Sequence, residues 1–200
     1  MAYIDIKELS ISFANRKILD SITCRFCNGI TVLHGDSGAG KTTLLHVIAG
    51  IYKDYTGEVH MPPESNLAYC FQDDLLFGNL TTQENMHLKY TACNLPYEEE
   101  QERIHTALSQ FGIEAVLPFK AKALSGGERQ RLKMAMLALT NPDIILLDEP
   151  TAKLDDENAQ NMLNVIERVW KNKLLLIVSH DRLSFSAPFD ELYLQGGKLR

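Results

Sequence analysis

Apolar and polar residues alternate from Tyr3 to Phe13. The apolar positions are Ile4, Ile6, Leu9, Ile11 and Phe13, with mostly polar residues between them. This period of two predicts a half-buried strand with an irregularity near Lys7-Glu8. We expect a turn at Asn15-Arg16 into a second strand over residues 18–26. Asn28-Gly29 predicts a further turn.

Other stretches of the chain are apolar without alternation. Short apolar runs predict strands over residues 30–33, 67–71, 144–147 and 174–178. The last two are typical of parallel strands covered on both faces. A glycine-rich loop and a helix over 41–50 follow the first run. An amphipathic helix follows Asp155-Asp156, and Gly196-Gly197 predicts a closing hairpin.

The middle of the chain has helical rather than strand periodicity. The acidic run at 98–102 suits the start of a helix, whose apolar face recurs through Phe111 and which Gly112 can end. A solvated helix start explains this run better than a partner-binding patch does. A second helix follows Gly127 and stops at Asn141-Pro142. We therefore predict one α/β domain over residues 1–200. Its core is formed by 1–72 and 139–200, and 73–138 is a helical insertion.

Composition narrows the class of protein. The chain has 200 residues, is 45% hydrophobic and carries a formal net charge of −6. An acidic chain of this size is a poor general nucleic-acid binder. No apolar run approaches 18 residues and no secretory signal is evident, so we expect a cytosolic chain without a membrane span of its own. Cys24 and Cys27 have metal-site spacing, but on a strand they face opposite sides, so we expect reduced thiols.

A phosphate-binding loop is the clearest chemical motif. Its residues are Gly35, Asp36, Ser37, Gly38, Ala39, Gly40, Lys41 and Thr42, followed by Thr43. They fit G-x-x-x-x-G-K-S/T between a predicted strand and helix. The backbone N–H groups can hold phosphate, Lys41 can reach the β- and γ-phosphates of ATP, and the Thr42 hydroxyl can ligate Mg²⁺. A plain glycine turn into a helix would leave the Lys-Thr pair unexplained.

Two carboxylates end the strand predicted over 144–147. Asp148 and Glu149 leave the strand end in different directions, so they can hold different roles. We predict that Asp148 holds Mg²⁺ through the water shell of the ion and that Glu149 accepts a proton from attacking water. Many strands end in acids, so this prediction depends on the phosphate loop earlier in the chain.

A second anion site is predicted at the start of the helix after residue 125. Ser125, Gly126, Gly127 and Glu128 form a Ser-Gly-Gly turn that supplies N–H groups, a hydroxyl and a helix dipole. The alternative is an ordinary helix cap. One phosphate tail does not need two such sites from one chain, so two head-to-tail chains that share their ATP sites explain it better.

These three motifs, in this order, resemble those of the ATP-binding cassette (ABC) ATPases. The resemblance covers essentially the whole chain. It implies a P-loop NTPase core with a mixed β-sheet, an N-terminal antiparallel β-subdomain and an inserted α-helical subdomain. It also implies an adenine-stacking role for Phe13, for which a strand-core position is the alternative. It further implies that Gln72 touches Mg²⁺ and the attacking water, that His180 contacts the γ-phosphate, and that Asp155 belongs to the nucleotide site.

The family resemblance favours a transporter subunit that hydrolyses ATP at the interface of a head-to-tail dimer. The partners would be a second copy or a homologous cassette, transmembrane permease subunits and, for an importer, a solute-binding protein. The chain would then lie at the cytoplasmic face of the membrane. Residues 71–77 resemble nitrate, sulfonate and taurine importer cassettes, and import is favoured over export. The apolar side chains of Leu75, Leu76, Phe77 and Leu80 suit a docking groove, for which core packing is the alternative.

Two other functions stay open at this point. One is a soluble cassette without a membrane partner, for example in iron–sulfur assembly. The other is a small-molecule kinase, which would leave the Ser125 turn unexplained. Lys153 departs from the family pattern and puts a cation near the expected dimer seam. The resemblance also predicts no C-terminal regulatory domain. Cargo, transport direction and the choice between homodimer and heterodimer are not determined by these residues.

Overall fold

The computed structural model describes residues 1–14, 16–73 and 75–200. The predicted turn at Asn15-Arg16 therefore lies partly outside the described residues, as does Asp74 of the 71–77 stretch. The strands are β1 Tyr3–Phe13, β2 Arg16–Cys27, β3 Gly29–His34, β4 Thr56–His60, β5 Leu67–Cys70, β6 Ile144–Asp148, β7 Leu174–Val178, β8 Phe189–Gln195 and β9 Lys198–Leu199. The α-helices are α1 Lys41–Ile48, α2 Thr82–Ala92, α3 Glu100–Phe111, α4 Gly126–Ala138 and α5 Asp156–Val169.

The N-terminal strands form a separate antiparallel sheet in the order β2-β1-β4. The predicted irregularity in β1 is present, because the register shifts between Ile6 and Leu9 and Glu8 has φ 50. A left-handed non-glycine residue in a strand is typical of a bulge. This bulge keeps the apolar residues on the buried side before and after it.

A second sheet has the order β5-β6-β7-β3-β8-β9. Its strands are parallel except for β9, which pairs antiparallel with β8. Carboxyl ends of parallel strands meet at one edge of a sheet, and this edge is where α/β proteins bind ligands. The phosphate loop, Gln72 and His180 follow β3, β5 and β7 respectively, and the Asp148–Glu149 pair lies at the end of β6, so the topology brings these predicted site residues to one edge. The mixed sheet and the N-terminal antiparallel sheet confirm the predicted fold class.

The six-stranded sheet separates two apolar cores. Ile145 and Leu147 of β6 pack into the core that contains α2 to α5. Ile144 and Leu146 pack on the opposite face, against α1 and the three-stranded sheet. The continuous apolar run of β6 is explained because both of its faces are buried.

Two elements were not predicted from the sequence. β4 is almost entirely exposed and lies at the edge of its sheet, so it lacks an apolar pattern. α2 begins with a capping box of Thr81 and Glu84, but its residues have little one-sided apolar character. The predicted limits of the helical insertion, 73 and 138, stay a prediction.

Three of the four cysteines, Cys24, Cys27 and Cys93, are thiols that form no disulfide bond within the described residues. Burial raises the pKa of the Cys24 thiol to about 12, so this thiol is protonated and unreactive at neutral pH. Among the described residues, no helix has both the length and the apolar character needed to cross a bilayer.

Candidate nucleotide site

The phosphate loop connects β3 to α1 and is held by close backbone packing. A Cβ at Gly35 would lie 2.4 Å from the carbonyl oxygen of Leu194 in β8, so only glycine fits there. Gly40, the N-cap of α1, has φ 105 and lies against Ile18 and Leu19. Both positions therefore need glycine for physical reasons. The loop ends at the N-terminus of a helix, which favours bound anions.

Lys41 turns its side chain back into its own loop. Its Nζ donates hydrogen bonds to the carbonyl oxygens of Gly35, at 2.6 Å, and Asp36, at 3.1 Å. The ammonium group is largely buried and lies over the loop. A phosphate in the loop would therefore meet a cation that is already in position.

Thr42 and Asp148 form the direct link between the loop and β6. The Thr42 hydroxyl donates to Asp148 Oδ2 at 2.8 Å. Asp148 is 2% exposed, and burial, aided by the neighbouring Glu149 carboxylate, raises its pKa. Within the described part of the chain, its Oδ1 is buried without a hydrogen-bond partner. A hydroxyl, a carboxylate and a buried unpaired oxygen fit Mg²⁺, which prefers oxygen ligands and takes few from the protein.

Glu149 lies beside Asp148 but has different neighbours. It has φ 51, and its N–H donates to the Val178 carbonyl at the end of β7. Its Oε1 lies 2.9 Å from Nδ1 of His180, and its Oε2 is buried without a partner in the described residues. The hydrogen bond with Glu149 raises the pKa of His180. The sequence suggested a phosphate contact for His180, and it did not reveal this pairing.

A cleft of about 310 Å³ opens over the loop. Its lining combines Phe13 with the loop region: Phe13, Arg16, Ile18, Gly38, Gly40, Lys41, Thr42 and Thr43. Phe13 is 44% exposed and is therefore not the strand-core residue of the alternative interpretation. Its ring packs edge-on against Tyr52 at 5.3 Å. Arg16 was not predicted to be a site residue. Its position at the start of β2, close in sequence to Phe13, could have indicated that it lies beside the same cleft.

Gln72 lies exposed just after β5. Lys133 of α4 holds the backbone on both sides of it: its Nζ donates to the carbonyl oxygens of Phe71, at 3.1 Å, and Asp73, at 3.2 Å. The predicted contact of Gln72 with Mg²⁺ stays a prediction. The contact of Lys133 with this segment was not predicted either. A lysine between apolar neighbours on a helix can be recognised in the sequence, but its partner cannot.

The Ser125 turn begins α4 with a capping box. Ser125 Oγ accepts from the N–H of Glu128 at 3.2 Å, and the Glu128 carboxylate accepts from the N–H of Ser125 at 2.7 Å. Gly126 and Gly127 lie beside Lys153 and Leu154 of the same chain. Ser125 therefore caps α4, as the alternative interpretation predicted. The cap uses the serine oxygen as acceptor, so the hydroxyl proton can still be donated to an anion.

Asp155 caps the next helix, α5. Its carboxylate accepts from the backbone N–H of Asn158 at 2.9 Å and from the side-chain amide at 2.7 Å. These bonds lower the pKa of Asp155. Lys153, two residues earlier, is exposed and has a left-handed backbone conformation with φ 72. Nucleotide contact by Asp155 stays a prediction.

Comparison with known proteins shows the family. A family model described as ABC transporter matches residues 21–152, and the chain belongs to this family. It is 29% identical over 209 residues to the lactose transport ATP-binding protein LacK of Rhizobium radiobacter, covering 98% of this chain and 58% of LacK. It is 33% identical over 198 residues to the zinc import ATP-binding protein ZnuC of Vibrio vulnificus, covering 96% of this chain and 72% of ZnuC.

A solved structure of an ATP-binding cassette of an ABC transporter shares the fold. Its TM-score is 0.86 at 24% identity, over 100% of this chain and 90% of that one. The chain thus spans little more than half the length of LacK, at 58%, and most of the solved cassette.

Proposed function

We propose that the chain is the ATP-binding and ATP-hydrolysing subunit of an ABC transporter, working through separate membrane subunits. One observation supports this most strongly. Asp148 and Glu149 are adjacent, yet one carboxylate is bound by Thr42 and the other lies against His180. Each keeps one buried oxygen without a partner among the described residues. Two acids with separate neighbours suit the separate tasks of metal binding and proton transfer.

The phosphate loop and the cleft would bind ATP. The adenine ring stacks on Phe13, and the phosphates lie on the loop N–H groups at the start of α1. Lys41 exchanges the carbonyl oxygens of Gly35 and Asp36 for oxygens of the β- and γ-phosphates. Arg16 adds a second cation on the same cleft.

Thr42 and Asp148 would hold Mg²⁺, with Gln72 as the further predicted ligand. When bound, this ion would offset the negative charge of the phosphates. His180 fixes one oxygen of Glu149, so Oε2 is the oxygen that accepts the proton of the attacking water. The hydrogen bond with Glu149 favours the protonated ring of His180, and a protonated ring would suit contact with the γ-phosphate.

The Ser125 turn would complete the ATP site of a second chain. Among the described residues, the cleft over the phosphate loop is lined by residues between 13 and 43, and the turn is not part of this lining. A hydroxyl proton and the N–H groups of Gly126 and Gly127 suit the γ-phosphate bound by a partner. A head-to-tail pair, either two copies or two homologous cassettes, would then have two composite sites.

A cavity of about 280 Å³ beside α2 and α4 would receive the membrane subunit. Leu75 and Phe77 line it, and they are 62% and 61% exposed. Apolar side chains around a cavity suit a short partner helix. This favours a peripheral location on the cytoplasmic face of a membrane over a soluble cassette.

Import is favoured because the relative ZnuC is named as a zinc import protein. The cargo stays open, and so does the finer resemblance to nitrate, sulfonate and taurine cassettes. A solute-binding protein would accompany an importer.

The experiment separates ATP binding from membrane association. Lys41→Ala should weaken ATP binding about 10- to 100-fold, because it removes a charge-assisted contact. Lys122→Ala, which removes only an exposed hydrogen bond to Asn79, is the matched control. Unchanged ATP affinity in Lys41→Ala would contradict the site.

Phe77→Ser should keep ATP hydrolysis but release the chain from membranes in a host that carries its permease. Wild-type protein that stays in the soluble fraction of that host would support a soluble cassette instead.

A further inference from the structure

Tyr69 of β5 contacts the carboxylate predicted to hold the metal ion. β5 pairs with β6, with Tyr69 opposite Leu146, two residues before Asp148. The Tyr69 hydroxyl donates a long hydrogen bond of 3.4 Å to Asp148 Oδ2. This is the same oxygen that accepts from Thr42 at 2.8 Å. Two hydroxyls therefore occupy one carboxylate oxygen, which leaves Oδ1 as the oxygen without a partner in the described residues.

The Tyr69 ring is fixed by aromatic neighbours. It packs on Phe71 with centroids 4.2 Å apart and on His46 of α1 at 5.6 Å. His46 in turn packs on Tyr52 at 5.0 Å. Contacts on several sides restrict the ring, so its hydroxyl has few alternative positions. A fixed hydroxyl can restrict the rotation of the carboxylate that it contacts.

We infer that Tyr69 is a positioning residue for Asp148: its hydroxyl holds Oδ2 so that Oδ1 faces the magnesium ion. This inference rests on the proposed function, because it assumes a metal ion at Thr42 and Asp148. Tyr69 itself touches neither metal nor nucleotide in this arrangement. It acts by removing rotational freedom that Asp148 would otherwise lose on metal binding.

The test measures magnesium binding without turnover. Free Mg²⁺ is titrated into protein saturated with ADP, and the rise in melting temperature gives the half-saturating Mg²⁺ concentration. Tyr69→Phe removes only the hydroxyl and should raise that concentration roughly three- to tenfold, the effect of an ordinary hydrogen bond, because the 3.4 Å length weakens this contact with the carboxylate. ADP affinity in EDTA should stay unchanged.

Tyr90→Phe is the matched control. It also removes a hydroxyl from a buried tyrosine, one that donates to the carbonyl of Pro96 in the helical region. It should lower the melting temperature without changing the half-saturating Mg²⁺ concentration. Tyr69→Met, which also lacks the hydroxyl, should shift that concentration in the same direction as Tyr69→Phe. Paramagnetic resonance of bound Mn²⁺ at low temperature gives the same comparison if either variant is unstable.

The outcomes separate this inference from the proposed function. Equal half-saturating Mg²⁺ concentrations in wild type and Tyr69→Phe would overturn the inference while leaving the nucleotide site intact. A wild-type protein that binds ADP but shows no response to Mg²⁺ would contradict the metal site itself, and the inference with it.

Discussion

His180 Nδ1 lies 2.9 Å from Oε1 of Glu149, although the two residues follow different strands. β6 and β7 are paired, with Asp148 opposite Val178, so the residues just beyond them are neighbours. The side chain of His180 is 63% exposed, whereas that of Glu149 is 9% exposed. An exposed imidazole thus covers a buried carboxylate that has a predicted catalytic role.

His180 should titrate above its ordinary value of 6.5. Its hydrogen bond to Glu149, then the charges of Glu149 and Asp181, favour the protonated ring. The Glu149–His180 pair therefore stabilises the folded protein fully below about pH 6.5. This stabilisation is lost as the pH rises through the raised pKa of His180. The pKa of His180, followed by NMR, should fall in Glu149→Gln. An unchanged pKa in that variant would show that the pair is absent in solution.

Glu149→Gln should bind ATP but hydrolyse it at least roughly 100-fold more slowly. The amide keeps the size of the side chain and cannot accept the proton. Phosphate release and nucleotide retention measure the two effects. Glu167→Gln is a control on a carboxylate away from this site, which accepts from the N–H groups of Ser186 and Ala187. Near-normal turnover in Glu149→Gln would reject Glu149 as the base.

Asp148→Asn should stabilise the protein without ligand, by about 1 kcal/mol, because it removes a buried negative charge next to the Glu149 carboxylate. The direction follows from the raised pKa: burial opposes ionisation, so the cost is present above that pKa and falls as the pH decreases through it. For a chain of this size the melting temperature should rise by about 2–4 °C.

The same variant should lose the Mg²⁺-dependent part of nucleotide stabilisation. Melting curves with and without Mg-ADP measure both effects. A lower melting temperature for ligand-free Asp148→Asn would contradict the account of Asp148 burial.

Ser125→Arg should retain ATP binding but not form the ATP-bound dimer. The predicted contact of Ser125 is with ATP on the partner, so a bulky cation blocks closure and leaves the phosphate loop of its own chain intact. Mixing Ser125→Arg with Lys41→Ala should partly restore hydrolysis, because a mixed dimer has both lesions in one site and an intact second site. Light scattering with ATP, in a Glu149→Gln background, follows dimer formation independently of turnover.

A monomeric Glu149→Gln protein at saturating Mg-ATP, together with normal hydrolysis by Ser125→Arg, would reject the head-to-tail dimer. Asn158→Ala is a control that removes a partner of Asp155 at the start of the next helix. It should weaken α5 without blocking dimer formation.

Much of the fold and site could be predicted because the signals are local. Gly35 and Gly40 have φ 151 and φ 105, a local requirement for glycine that a short motif can contain, although the atoms they pack against in Leu194, Ile18 and Leu19 are distant in sequence. The apolar run of β6 likewise reports burial on both faces. Ser125 and Glu128 are three residues apart, and their capping box follows from that spacing.

The missed features depend on residues far apart in sequence. Tyr69 meets Asp148 only because β5 pairs with β6, and Lys133 reaches Phe71 only because α4 packs beside β5. No local pattern records these pairings. β4 escaped prediction for another reason: it is mostly exposed, so hydrogen bonds to β1 rather than an apolar pattern define it.

The end of β6 separates two neighbouring carboxylates. Ile144, Leu146 and Asp148 alternate onto one face of the strand, and that side of the sheet carries α1 with Thr42. Glu149 lies just beyond the strand, and its left-handed backbone, with φ 51, turns it towards the end of β7. Strand alternation therefore sets the environment of Asp148, whereas a single backbone conformation sets that of Glu149. The two adjacent acids meet different neighbours because the strand ends between them.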